Sequence, residues 1–143
     1  DNIKLKKKLR TLDHISIFYL IAGSYAPVCL ITLYNHSGIE IFLIVLAIML
    51  IGTFFKLFYT GKYEKFSLFL YLAMGWLIAF KINTLIDLIS FNGLALIIAS
   101  GLLYTFGTYF YSSEKIKYSH AIWHLFVLGG SITHYFFVLF FII

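Results

Sequence analysis

The sequence predicts an all-α fold, a polytopic transmembrane helical bundle with five spans. Three observations carry that prediction. Only 12% of the 143 residues are charged, while 62% are hydrophobic and 20% aromatic. An average soluble domain carries about 25% charged residues, so a soluble globule of this size could not dress its surface from this composition. The apolar residues also fall in runs of the roughly 20 residues that a helix needs to cross the hydrocarbon. Short polar connections separate those runs.

The first span is expected at about 14–34, from His14 through IFYLIAGSYAPVCLITLY. The second is expected at about 38–59, the third at about 66–82, the fourth at about 91–111 and the fifth at about 118–143. The connections are NHSG (35–38), TGKYEK (60–65) and SSEKIK (112–117). The stretch NTLIDLIS (83–90) is longer and is expected to lie along the membrane interface. Nothing remains for a soluble domain, so the chain reads as a single transmembrane domain over 1–143. One Cys and one Pro exclude a disulfide scaffold and a collagen-like repeat. The high hydrophobicity excludes disorder. Pro27 sits inside the first span and is expected to kink it. Cys29 reads as a small packing residue, and glycines in the spans allow close helix approach.

Charge orients the stack. Lys4, Lys6, Lys7, Lys8 and Arg10 precede the first span, and basic residues then alternate 5, 0, 3, 1, 2 across successive connections. By the positive-inside rule the start of the chain is cytoplasmic and its end outside. The basic run abuts an apolar span, which marks a juxtamembrane anchor and not a nucleic-acid site. The expected location is the cell membrane, plasma or inner, with multiple passes and lipids as partners.

Ionisable residues within spans are costly and so point to function. Lys56 and Lys81 lie near span ends, where they can snorkel. Glu40 and Asp87 read as interfacial. The narrower set is Asp13, His14, His120, His124 and His134. In HAIWH (120–124) a spacing of four puts both imidazoles on one helix face, one turn apart. That spacing suits two ligands of one metal, and it equally suits a hydrogen-bonded pair of core histidines. The Glu of the H-E-x-x-H metalloprotease motif is absent. At about 1.5 Å per residue, His120 and His124 lie about 4.5 Å and about 10 Å inside Lys117. Asp13 lies three residues inside Arg10, at a similar depth, so a carboxylate and two imidazoles can meet at one level from two helices. His134 is about 15 Å further along the axis and reads as a satisfied intramembrane polar group. AGSYAP (22–27) lacks the G-x-S-x-G of a nucleophile elbow.

The segments LDHISIFYLIAGSYAP (12–27), MGW (74–76) and SGLLYTFGTYFYSSEKIKYSHAIWHLFVLGGSITHYFF (100–137) resemble the hemolysin III family. That family belongs with the progestin and adipoQ receptors, which include the adiponectin receptors, and is distant kin of the alkaline ceramidases. The resemblance implies a seven-span fold with a cytoplasmic start and an outside end, of which this chain resembles the last five spans, truncated at the N-terminus. It implies a zinc site of three His, with an Asp that holds or activates a water. His120 and His124 match two of the ligands and Asp13 matches the Asp. The third His and a nearby Ser belong to the family's second span, upstream of residue 1. The chemistry implied is zinc-dependent hydrolysis of a lipid-like amide or ester, with Asp13 as catalytic base. Two other readings stay open: a membrane-permeabilising haemolysin, and a membrane sensor with structural zinc.

Overall fold

The computed structural model describes residues 2–113 and 115–143. The described residues are 87% helix and include no strand. Five helices are long and apolar enough to span a membrane: Asn2–Thr32, Gly38–Tyr59, Glu64–Leu88, Phe91–Ser112 and Ser119–Phe141. The chain divides into two compact units, one ending at Leu77 and the other running from Ile78 to Ile143.

The first unit begins with α1 (Asn2–Pro27). This helix starts well before the apolar run, because Lys, Leu and Arg are good helix formers and no Gly interrupts them before Gly23. The disturbance at Pro27 takes the form of a change of register. Proline brings no N–H to bond the carbonyl four residues back. The backbone continues as a π-helical stretch over Val28–Thr32, closed by a 2.8 Å bond from the Leu33 N–H to the Val28 carbonyl. A tight turn leads into α2 (Gly38–Tyr59). A Cβ at Gly38 would overlap the carbonyls of Cys29 and Leu33, so only glycine fits there.

The third helix, α3 (Glu64–Trp76), passes through a 3₁₀ stretch at Leu77–Lys81 into α4 (Ile82–Leu88). The segment 83–90, expected as a connection along the interface, is therefore helical through Leu88. Its apolar residues Ile82, Leu85, Ile86 and Leu88 recur at helical spacing, and no Gly or Pro stops the helix.

Two polar ties hold α1 against α3. The Tyr25 hydroxyl donates to the carbonyls of Met74 and Gly75, at 2.7 Å and 3.0 Å. The Tyr71 hydroxyl donates to the His14 carbonyl at 2.8 Å. The first tie adds a side-chain donor at the point where α geometry passes into 3₁₀ geometry, where the Met74 carbonyl also accepts the Leu77 N–H. Between the ties the Phe18 ring packs at 4.5 Å on Tyr71 and fills the space that Gly52 leaves on α2.

The second unit centres on a hairpin of α5 (Phe91–Ser112) and α6 (Ser119–Phe141). Glycines set how closely its helices approach. Gly107 lies under Phe126 and Trp123, Gly130 under the Tyr104 ring, and Gly93 beside Phe141 and Ile89. Phe110 stacks on Phe126 at 5.2 Å, and the Tyr104 hydroxyl meets Ser131 Oγ at 3.0 Å. Outward faces are apolar, as on Leu125, Tyr135 and Phe140, which suits helices whose solvent is lipid.

Candidate metal centre

His120 and His124 occupy the first turns of α6. Tyr118, at φ 62°, precedes the helix in the left-handed conformation, and α6 is regular from Ser119. The i, i+4 spacing then brings the two rings together as the sequence predicts. Their Nε2 atoms lie 3.2 Å apart, with ring centroids at 4.7 Å and planes nearly perpendicular at 85°. Trp123 supports the pair from below. It is buried, packs at 4.5 Å on His124 and 5.2 Å on His120, and is itself backed by Tyr111 at 4.8 Å. His120 is exposed and His124 half-buried.

The donor set fits a metal. Zinc–imidazole bonds of about 2.0–2.1 Å at a tetrahedral angle put two nitrogens about 3.3 Å apart. The spacing in α6 is within about 0.1 Å of that. One Nε2–H donating to the other Nε2 holds the same distance.

Asp13 lies half-buried on α1 in the first unit, where its carbonyl accepts the Ser16 hydroxyl at 2.7 Å. His14, its neighbour, points into that unit. Its ring is buried, with Nε2 at 3.5 Å from Glu64 Oε2. His134 is half-buried and packs at 5.6 Å on Phe137, further along α6.

A second polar cluster was not predicted from the sequence. Lys56, expected to snorkel, is fully buried, and its Nζ lies 2.8 Å from Glu64 Oε2. Arg10 approaches Glu64 Oε1 at 3.6 Å, and the Gly61 N–H donates to the same oxygen at 3.0 Å. The cause is local. Gly61 takes φ 84° and Tyr63 φ 55°, so the turn 60–63 folds the first residue of α3 back over the last turn of α2. The Thr60 hydroxyl, bonded to the Lys56 carbonyl, closes the same turn. The available signal was Glu64 three residues after a glycine, between two apolar spans.

The haemolysin-III-related family model matches residues 1–135. The chain belongs to this family. Relatives agree with that membership. Hemolysin-3 of Bacillus cereus is 41% identical over 140 residues, covering 98% of this chain and 64% of the relative. A hemolysin-3 homolog of Bacillus subtilis is 42% identical over 138 residues, covering 96% and 65%. The human monocyte to macrophage differentiation factor is 34% identical, covering 92% and 57%. The chain thus spans less than two thirds of the length of these relatives. No solved structure gives a significant match. Membership and the five apolar helices make this a multi-pass membrane protein of the haemolysin III kind.

Proposed function

We propose that the chain forms part of a zinc-dependent hydrolase of lipid-like amides or esters, with the metal at the cytoplasmic side of the membrane. The observation that carries the reading is the 3.2 Å separation of the His120 and His124 Nε2 atoms on an accessible face of α6. A catalytic zinc takes three protein ligands and an open position. His120 and His124 supply two, and the resemblance assigns the third to a His upstream of residue 1. When bound, zinc supplies a Lewis acid for a carbonyl oxygen and lowers the pKa of water.

The other tasks fall to the chain. The resemblance assigns Asp13 the role of general base, its carboxylate taking the proton of the attacking water. The apolar outer faces of the helices admit a substrate with an acyl chain from the lipid side. Trp123 holds both imidazoles in one orientation and prevents their drift.

The test uses the protein carrying this chain, purified in lipid, with zinc measured alongside turnover of a panel of long-chain amides and esters. Asp13→Ala is expected to keep its zinc and to lose about 10²- to 10⁴-fold in turnover, the usual contribution of a positioned general base. Full turnover in Asp13→Ala would remove that role. Zinc in wild type without turnover of any member of the panel would favour a structural metal in a membrane sensor.

A second reading rests on the name of the Bacillus cereus relative, Hemolysin-3: this chain would permeabilise membranes. Folded protein added to dye-loaded vesicles is expected to cause no leakage. Dose-dependent leakage that survives His120→Ala would favour the haemolysin. For orientation, a single Cys at position 115 is expected to resist labelling from outside intact cells, and outside labelling would move the site to the other leaflet.

A further inference from the structure

The cluster around Glu64 has an arrangement that packing alone does not require. One carboxylate, on α3, gathers groups from two other helices and a turn. Oε2 faces Lys56 Nζ of α2 at 2.8 Å and His14 Nε2 of α1 at 3.5 Å. Oε1 accepts the Gly61 N–H at 3.0 Å and faces Arg10 Nη2 of α1 at 3.6 Å. Arg10 and His14 are one helical turn apart, and Asp13 lies within that turn. The same turn is held a third time, by the bond from the Tyr71 hydroxyl to the His14 carbonyl at 2.8 Å.

We propose that Glu64 is a positioning residue for Asp13: through Arg10 and His14 it fixes the rotation and height of the α1 turn that carries the Asp13 carboxylate. The proposal rests on the hydrolase reading for what Asp13 does, but not for how Asp13 is held.

A helix packed in lipid has two soft adjustments, rotation about its axis and sliding along it. Attachments at residues 10 and 14 resist rotation, because both lie on the face turned to α3. The Tyr71 bond to the backbone resists sliding. Side-chain tips stand about 5–6 Å from a helix axis. A rotation of about 10° would move Asp13 by about 1 Å, a displacement that can cost about 10²-fold in rate. The arrangement also accounts for a lysine that is fully buried in protein at the end of a span instead of snorkelling. Lys56 Nζ, at 2.8 Å, keeps the Glu64 carboxylate turned inward toward α1.

Two measurements test this. A nitroxide at position 13, attached through Asp13→Cys in a Cys29→Ala background, reads the placement of the turn without any activity. It is expected to be motionally restricted with Glu64 present and clearly more mobile in Glu64→Gln. With native Asp13, Glu64→Gln is expected to lower kcat about 100-fold, with KM within about twofold and zinc content unchanged. Glu64→Asp, which keeps the charge, is expected to recover part of kcat.

The double variant Lys56→Met/Glu64→Leu separates positioning from stability. Replacing a buried ion pair with apolar residues commonly keeps or raises stability. The double variant is expected to melt like wild type and still to turn over as slowly as Glu64→Gln. It also carries the test if Glu64→Gln does not fold. Wild-type kcat in the double variant, or an equally restricted label in Glu64→Gln, would overturn the proposal. If wild type hydrolyses nothing, the hydrolase reading fails by itself, and the label still decides whether Glu64 places residue 13.

Discussion

The two units hold their helices together by different means. In the first, α1, α2 and α3 are tied by polar groups, of which Lys56 and His14 are buried. Lys56, His14 and Arg10 surround Glu64, and tyrosine hydroxyls seal backbone carbonyls. In the second, α5 and α6 approach closely at Gly107 and Gly130, and the Tyr104 and Ser131 hydroxyls meet between them. Polar ties fix rotation and height, because each bond has one geometry. Glycine contacts let helices come close while leaving a polar pair at the end of α6 accessible. The first unit thus fixes its helices by directional bonds, and the second carries two imidazoles on the first turns of α6.

The difference can be broken at either end. The largest effect is expected from Glu64→Ala, which leaves a buried ammonium without its carboxylate. Removing one partner of a buried pair costs about 3–5 kcal/mol. Thermal unfolding in detergent, followed by circular dichroism, should show the loss. With zinc removed from both proteins by a chelator, His120→Ala, a change at an exposed residue, is expected to shift stability by no more than about 0.5 kcal/mol in the same assay. Similar melting of the two variants would dissolve the contrast.

A smaller effect is expected from Gly130→Ala. Its Cβ would stand 2.8 Å from Tyr104 Cε1, so the ring must move and strain the hydroxyl pair. Overpacking of this kind costs about 1–3 kcal/mol. Gly101→Ala, where a Cβ meets nothing within 4 Å, should leave the melt unchanged. A loss at Gly101 matching that at Gly130 would show that helix approach does not depend on the glycine contacts.

Much of this was legible in the sequence, for physical reasons that can be named. Five helices follow from composition and run length, because lipid permits few other structures. The His120/His124 pair follows from helical period alone, since both residues sit on one regular helix. The Glu64 cluster was not legible. Lys56 near a span end reads as a snorkelling side chain, and Glu64 is one residue of the connection TGKYEK. Only the turn at Gly61 and Tyr63, with both backbones at positive φ, folds one onto the other. The helical course of 83–88 was harder to read for a related reason. Asn83, Thr84 and Asp87 suggest a polar connection, yet the apolar residues between them keep the helical spacing.

The central claim is that His120 and His124 are metal ligands and not a hydrogen-bonded pair. Metal content of the protein carrying this chain, measured after purification for wild type, His120→Ala, His124→Ala and the double variant, tests it most directly. The account predicts about one zinc per chain in wild type, as a site of three protein ligands implies, and essentially none in each His variant. Equal zinc in wild type and the double variant would contradict it, and His120 and His124 would then be an ordinary bonded pair on α6.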